Sequence, residues 1–321
     1  MSGPLYGSVE SGGTKIVCLL GRSPDDIVAR TRFPTGEPGP TLARAVAFFQ
    51  ESAAEHGLPA AVGVASFGPL ELRRSHPRYG FTTDTPKPGW TGVDVRGTLA
   101  RGLGVPVGID TDVNGAALGE GRWGAARGLD TFVYLTVGTG VGGAAVIGGR
   151  TVSGLVHTEM GHVVVRRHDG DGFPGNCPFH GDCLEGLAGG TAVAARWGRP
   201  AERLSGDELR RAVELEAAYL ADGLRSVVYC TAPRRIVIGG GMSVLPGLLP
   251  LVRERLTEQL AGYPGLPEQS ADDFVVPAAL GGMAGPAGGL VLAARAHQEA
   301  AAPTPPAPGS VSRPAGETAP V

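Results

Sequence analysis

The chain has 321 residues, enough for one large domain or two ordinary ones. Its 42% hydrophobic and 18% charged residues exclude a fibrous or wholly disordered protein. The net charge of −3 provides no basic surface for a nucleic acid, and no apolar run approaches the roughly 18 residues of a membrane span. The N-terminus lacks the features of an export signal. We therefore expect a cytoplasmic protein that binds neither nucleic acid nor membrane.

The first predicted elements are two apolar strands around a glycine turn. LYGSVE leads into SGGT at residues 11–14, and KIVCLLG follows. An amphipathic helix is predicted over residues 41–56, and buried strands are predicted in AVGVASFGPL and VPVGID. The strand, turn and strand pattern returns as TFVYLTV, GTGVGG and AAVIGG, with the turn at residues 138–143. This repetition predicts two related halves.

The last third of the chain is predicted to be mostly helical. Residues 208–229 have helical spacing, RIVIGGG is a strand that runs into glycines, and residues 283–297 form a last helix. Residues 301–321 are rich in proline and contain no aromatic residue, which predicts a disordered tail. Strands that alternate with helices predict an α/β fold with two lobes and a cleft between them.

Cysteine and histidine residues cluster within residues 157–183. Cys177, His180 and Cys183 are spaced three residues apart in a loop rich in glycine and proline. Two thiolates and an imidazole need one more donor for a tetrahedral Zn²⁺ site. Three histidines upstream are candidates for that donor: His157, His162 and His168. The alternative is an exposed loop with free thiols, which a cluster of such ligands disfavours. A zinc held only by protein ligands would be structural.

Both glycine-rich turns are candidates for binding phosphate. SGGT and GTGVGG present successive backbone N–H groups without obstructing side chains, and Thr14 and Thr139 add hydroxyl donors. GTGVGG also fits the dinucleotide-binding pattern, but that pattern requires a helix directly after the glycines. The following AAVIGGR is typical of a strand, which disfavours a nicotinamide enzyme. Ordinary hairpin turns are the alternative for both segments.

Polar residues follow the predicted strand VPVGID at its carboxyl end. Asp110, Asp112 and Asn114 stand where open α/β sheets bind ligands. An aspartate there could accept the proton of a substrate hydroxyl that attacks phosphorus. Capping of the next helix is the alternative, and we expect it for one of the three residues. Glu159 and Glu185 could accept hydrogen bonds from hydroxyl groups, or each could be a solvated surface acid.

These motifs together resemble the ROK family of repressors, open reading frames and sugar kinases. The resemblance covers about residues 5–298 and rests on ESGGTK, FGP, DTDVNGAALGE, GTGVGG, EMGH, CLEG and VIGGG. It implies the two-lobed actin-like (ribonuclease H-like) ATPase fold with a zinc-binding loop at residues 157–185. The implied small lobe is residues 1–115, with the last helix, 286–300, packed back on it. The implied large lobe is residues 116–285.

The resemblance also implies roles for individual residues in binding and catalysis. Asp112 would be the general base that deprotonates the sugar hydroxyl, and Glu159 and Glu185 would bind other sugar hydroxyls. The residues implied to face ATP are Gly12, Gly13 and Thr14 in the first turn, Thr139 in the second, and Gly190, Gly240 and Gly241 around the adenosine.

The same resemblance implies a complete ligand set for the zinc. His162 of EMGH would be the fourth ligand, beside Cys177, His180 and Cys183. Because one ring nitrogen would bind zinc, the other would carry a proton and could donate a hydrogen bond to the sugar. His157 and His168 would then be surface or packing residues.

Within the family, ESGGTK, TPKPGW, DTDVN and CPFHGDC are typical of the bacterial fructokinase branch. The implied reaction is ATP-dependent phosphorylation of fructose at its 6-hydroxyl, with Mg²⁺ bound to ATP and a homodimer as the assembly. Thr111 stands where many family glucokinases have asparagine, which favours fructose over glucose. Glu10 replaces the usual aspartate near the metal-bound phosphates. Mannose, glucose or an N-acetylhexosamine is the alternative substrate.

Two other classes of protein are expected to be excluded. A sugar-responsive repressor would carry a helix-turn-helix module before the first turn, where only six residues precede Gly7. A non-catalytic sugar-binding regulator would have no need of Asp112 together with both glycine turns.

Overall fold

Two five-stranded sheets organise residues 3–302, the part of the chain that the computed structural model describes. The strands of the first sheet are β1 (Tyr6–Ser11), β2 (Lys15–Ser23), β3 (Asp26–Pro34), β4 (Val62–Ser66) and β5 (Val107–Thr111). They lie in the order β3-β2-β1-β4-β5. The three hairpin strands β1 to β3 are antiparallel, and β4 and β5 continue the sheet in parallel with β1.

The second sheet repeats this plan. Its strands are β6 (Phe132–Val137), β7 (Val141–Ile147), β8 (Arg150–Thr151), β9 (Ile236–Gly239) and β10 (Val275–Pro277). They lie in the order β8-β7-β6-β9-β10, again three antiparallel strands followed by two parallel ones. The prediction of two related halves is confirmed. β7 begins at Val141, inside GTGVGG, and continues as a strand where the dinucleotide-binding pattern requires a helix, so that interpretation is excluded.

Helices cover both sheets, which confirms the predicted α/β class. The predicted helix at 41–56 is part of a helix that starts with prolines at its first turn and ends before Gly57, whose φ is 77°. The helices are α1 (Pro38–His56), α2 (Val95–Leu103), α3 (Asp112–Trp123), α4 (Leu184–Ala188), α5 (Gly190–Trp197), α6 (Gly206–Thr231), α7 (Leu248–Leu260) and α8 (Ala284–Ala301). No helix within residues 3–302 has the length and apolarity to cross a membrane.

Each sheet has its own apolar core. Phe49 and Trp90 are fully buried against the first sheet, and Leu135 and Leu220 are fully buried against the second. Apolar side chains buried on this scale supply most of the free energy of folding. The two cores define two lobes, which we name the first and second lobe after their sheets.

Helix α8 returns to the first lobe, as expected for residues 286–300. It packs against β1 and β4, and its longest contact is with α3. The helices approach so closely that a Cβ on Gly288 would overlap the carbonyl oxygen of Gly115. The expected lobe boundary at residue 115 falls inside α3, which contacts strands of both sheets. The lobe limits stay a prediction, and the expected tail lies outside the described residues from residue 303 onward.

Candidate active site

Two adjoining cavities occupy the cleft between the lobes, and they meet at Asp112. Cavity A, of about 440 Å³, is lined by Glu159, His162 and Glu185 among others. Cavity B, of about 550 Å³, is lined by Glu10 and the glycines that follow β9. Asp112 contributes to the walls of both cavities. A group at this point can contact ligands in either cavity.

Asp112 is the first residue of α3, directly after β5. Its Oδ1 accepts a hydrogen bond of 2.9 Å from the N–H of Val113. Burial, together with the negative charges of Glu10 and Glu159, raises the pKa of Asp112 to about 6, although the backbone hydrogen bond counteracts this rise. A carboxylate with this pKa is ionised at neutral pH and is a stronger base than an exposed aspartate.

Asp110, two residues earlier, accepts hydrogen bonds that stabilise the structure around the strand end. Its Oδ1 accepts hydrogen bonds from the N–H of Thr111 and from Asn114 Nδ2, at 2.8 and 2.6 Å. Its Oδ2 accepts one of 2.9 Å from Thr151 Oγ1, which joins β5 to β8 across the lobes. With both oxygens engaged, Asp110 is not free to accept a substrate proton.

The expectation that Asp110, Asp112 or Asn114 caps α3 is wrong. Neither aspartate nor Asn114 caps α3, because Thr111 occupies the N-cap position and its Oγ1 accepts a hydrogen bond of 3.1 Å from the N–H of Asn114. Asp112 is already helical and is therefore one position too late for a cap.

Both glutamates expected to bind hydroxyl groups line cavity A. Glu185 Oε2 accepts a hydrogen bond of 3.0 Å from the N–H of Val141, which fixes the carboxylate against the second glycine turn. Glu159 is exposed to the cleft, and its Oε1 lies 3.3 Å from His157 Nδ1. Carboxylate oxygens directed into a polar cavity are suitable acceptors for the hydroxyl groups of a neutral ligand.

His157 is not a surface residue, contrary to one of the two expectations for it. Its ring is buried in the wall of cavity A, with 7% of the residue exposed. The N–H of Leu70 donates to Nε2 at 3.3 Å, so the ring proton lies on Nδ1, which is 3.4 Å from the carbonyl oxygen of Thr158 and 3.3 Å from Glu159 Oε1. His157 thus connects a loop of the first lobe to a glutamate of the second. His168 is exposed, as expected.

Cavity B contains a glycine that no other residue could replace. Gly240 has a φ of 87°, and a Cβ there would overlap the backbone of Val137. Gly241 next to it faces open space. On the opposite wall, burial raises the pKa of Glu10, although Lys15 and Arg32 counteract this effect. Within residues 3–302, Glu10 Oε2 is buried without a hydrogen-bond partner.

The two predicted phosphate turns flank the cavities in different ways. Thr139 lines cavity A. The first turn, between β1 and β2, consists of Gly12, Gly13 and Thr14. None of these three lines either cavity, but Lys15, the next residue, lines cavity B. Gly190 lies beneath the second turn, where its N–H donates to the carbonyl oxygen of Gly138 at 2.8 Å. Direct contact of the first turn and of Gly190 with a nucleotide stays a prediction.

The four predicted zinc ligands come together in one cluster. One donor atom from each of His162, Cys177, His180 and Cys183 lies within 4.8 Å of the other three. His162 Nδ1 is 3.5 Å from Cys183 Sγ and 3.7 Å from Cys177 Sγ, and His180 Nδ1 is also 3.7 Å from Cys177 Sγ. Zinc bonds of about 2.0 Å to nitrogen and 2.3 Å to sulfur at tetrahedral angles place such donors about 3.5 Å apart. The donor set and its spacing therefore fit Zn²⁺.

Known proteins share this architecture. The model of the family described as ROK family matches residues 6–296. The chain belongs to the ROK family. A fructokinase of Zymomonas mobilis subsp. mobilis is 42% identical over 297 residues, which are 92% of this chain and 98% of that protein. A fructokinase of Pediococcus pentosaceus is 37% identical over 296 residues, which are 92% of this chain and 100% of that protein.

Solved structures of ROK proteins are also similar. The ROK hexokinase from Thermus thermophilus has a TM-score of 0.75 at 28% identity, covering 92% of this chain and 99% of that one. A ROK family glucokinase from Streptomyces griseus, solved in complex with glucose and AMPPNP, has a TM-score of 0.72 at 25% identity, covering 91% of this chain and 99% of that one.

The structure adds residues to this ROK site to which the sequence analysis gave no role. Lys15 and Tyr134 line cavity B, and Asp84 and Phe179 line cavity A. Lys15 could have been found, because it is one of only two lysines in the chain and follows the first glycine turn. Asp84 and Phe179 lie in loops whose course depends on tertiary packing, so even the motif CPFHGDC, which contains Phe179, gave that residue no role.

Proposed function

We propose that this ROK protein is an ATP-dependent fructokinase that phosphorylates D-fructose at the 6-hydroxyl. The observation that carries the proposal is the position of Asp112, a base with a raised pKa, at the point where cavities A and B meet. The substrate is supported by fructokinases that are 37–42% identical to this chain over about nine-tenths of its length.

The geometry supports a division of the cleft between the two substrates. Fructose lies in cavity A, where Glu159 and Glu185 accept hydrogen bonds from its hydroxyl groups and His162 can donate one. The triphosphate of ATP lies in cavity B with its terminal phosphate towards Asp112. In this arrangement the sugar oxygen and the phosphorus face each other across one carboxylate.

The transfer exchanges one bond to phosphorus for another. The 6-oxygen of fructose forms a bond to the γ-phosphorus, the bond from that phosphorus to the bridging oxygen of ADP breaks, and Asp112 accepts the hydroxyl proton. Positioned proton transfer of this kind contributes about 10²–10⁴-fold to the rate. Exclusion of water from the cleft prevents hydrolysis of ATP, because water would compete with the sugar hydroxyl.

Residues of cavity B are suited to Mg²⁺ bound with ATP. Glu10 has a buried oxygen without a partner among residues 3–302, and Lys15 beside it supplies a positive charge. When bound, Mg²⁺ would neutralise charge on the phosphate oxygens. We propose that Glu10 lies in reach of that ion, directly or through water.

We also propose that His162, Cys177, His180 and Cys183 hold a structural Zn²⁺. With four protein donors the ion has no open position, so it would stabilise the loop and take no part in the reaction. Nδ1 of His162 faces the thiols. Nε2 would therefore keep its proton and could donate a hydrogen bond within cavity A. The homodimer and the cytoplasmic location rest on the resemblance and the sequence, and both stay predictions.

A sugar panel tests the proposal. Release of ADP is measured with MgATP and with fructose, mannose, glucose or N-acetylmannosamine, and the site of phosphorylation is read from the ³¹P spectrum of the product. We expect the highest kcat/KM for fructose, with the phosphate on O6. Asp112→Asn should abolish turnover, whereas Asp130→Asn, at an exposed carboxylate outside both cavities, should not. A higher kcat/KM for another hexose, or phosphate on O1, would refute the stated specificity.

A further inference from the structure

A third cavity lies between the lobes outside the active site. It has a volume of about 500 Å³ and is lined by β5, which is the edge strand of the first sheet, and by β8, which is the edge strand of the second. The last turns of α8, the segment around residues 72–79 and Arg96 of α2 form its remaining wall. None of its lining residues lines cavity A or B. The contact between Asp110 and Thr151 crosses it from one lobe to the other.

The charge of this cavity is opposite to that of the chain. Four arginines line it, against two carboxylates, Asp110 and Glu299, which leaves an excess of two positive charges. The protein as a whole has a net charge of −3. The arginines come from three parts of the fold: Arg74 and Arg96 from the first lobe, Arg150 from β8 and Arg295 from α8.

The carboxylates do not neutralise all four guanidinium groups. Arg74 pairs with Glu299 at 2.6 Å, and Arg96 donates to the carbonyl oxygen of Val107 at 2.9 Å. Asp110 is already bound by three donors, none of which is an arginine. Three arginines, Arg96, Arg150 and Arg295, therefore remain without an anionic partner among residues 3–302.

Two of these three, Arg150 and Arg295, are brought together because Arg295 bonds to Gly149, the residue before Arg150. Arg295 donates only to the carbonyl oxygen of Gly149, at 3.1 Å, and Arg150 is exposed with no hydrogen bond from its side chain among the described residues. Burial lowers the pKa of Arg295, and the charges of Arg150 and Arg74 lower it further, although Asp110 and Glu299 counteract them. An anion between the guanidinium groups would relieve this repulsion.

We infer that this cavity is a binding site for a phosphomonoester, with its phosphate group held by Arg150 and Arg295. Guanidinium groups bind phosphate oxygens in pairs, through two parallel N–H donors. The volume exceeds that of a phosphate ion and leaves room for a sugar carrying it. A ligand here would contact both lobes, because Arg150 belongs to the second lobe and Arg295 lies on a helix packed against the first. The site is separate from the active site and does not depend on which hexose is phosphorylated.

Calorimetric titration with fructose 6-phosphate tests the inference, with the active site first filled by AMPPNP and fructose. We expect one binding event per chain to remain. The double variant Arg150→Gln, Arg295→Gln should weaken it about 10- to 100-fold, because two charge-assisted hydrogen-bond donors are lost. Arg203→Gln, at an exposed arginine with no side-chain partner among residues 3–302, is the matched control and should bind as the wild type does.

Two results would overturn the inference: no residual binding once the active site is filled, or residual binding that the double variant leaves unchanged. If the double variant is unstable, Arg150→Gln alone serves, since that exposed side chain makes no hydrogen bond within the described chain. Turnover with fructose is measured separately on the same preparations. A protein that fails to phosphorylate fructose but keeps this binding would refute the proposed function alone.

Discussion

Replacement of Asp112 by asparagine should abolish turnover and at the same time stabilise the fold. Burial raises the pKa of this aspartate from its ordinary value of 3.8 to about 6, which means that the folded state disfavours the charged carboxylate. This rise corresponds to about 3 kcal/mol. Because the side chain is partly open to the cleft, solvent screens the effect, and we expect Asp112→Asn to raise the free energy of unfolding by about 1–3 kcal/mol at pH 8.

The pH dependence of this gain identifies its cause. A carboxyl group with a raised folded-state pKa destabilises the protein fully above that pKa and not at all below its unfolded pKa. The gain from Asp112→Asn should therefore fall to about half its value at pH 5 and approach zero near pH 3.8. Urea unfolding of the variant, the wild type and Asp130→Asn at several pH values measures it. A gain that does not change with pH, or a variant less stable than the wild type at pH 8, would refute the reasoning.

Three further predictions concern the same site. The kcat/KM for fructose should fall about tenfold per pH unit below pH 6, because Asp112 must be ionised in the free enzyme; a flat profile down to pH 5 would exclude it as the base. Removal of zinc by a chelator, or Cys177→Ala, should lower the unfolding free energy by several kcal/mol and raise the KM for fructose; an unchanged KM in metal-free protein would separate the loop from sugar binding. His157→Asn keeps a donor towards Glu159 and should retain the KM for fructose. His157→Gln keeps only an acceptor for the N–H of Leu70 and should raise that KM about tenfold. A higher KM for the asparagine variant than for the glutamine variant would contradict a positioning role.

The repeated hairpins were predictable from the sequence because each has a strong local signal. Apolar runs on both sides of SGGT and GTGVGG specify strands, and the glycines specify the turns between them. The cluster of cysteines and histidines was equally predictable, since three of its four residues lie within seven positions. The fourth, His162, could be selected only through the family resemblance, because three upstream histidines were equivalent by spacing alone.

The roles of the two aspartates could not be separated by local pattern. Asp110 and Asp112 are two residues apart at the same strand end, and only their partners distinguish them. Asp110 is bound by Thr151 from the other lobe, a contact that joins residues 41 positions apart. The choice between a surface and a packing position for His157 was open for the same reason, since its partner Leu70 lies 87 positions away. Such long-range contacts depend on how the lobes are placed together, which no local periodicity encodes.

The return of α8 to β1 and β4 has a consequence for the order in which the protein is made. The ribosome releases the strands of the first sheet early, but the helix that shields them is synthesised last among the described elements. Until then the apolar surface around Gly63 is open to other nascent chains, whereas the second lobe can complete its own core first. The first lobe to be translated is thus the last to finish folding, and a ribosome that stalls near residue 280 would leave an aggregation-prone fragment.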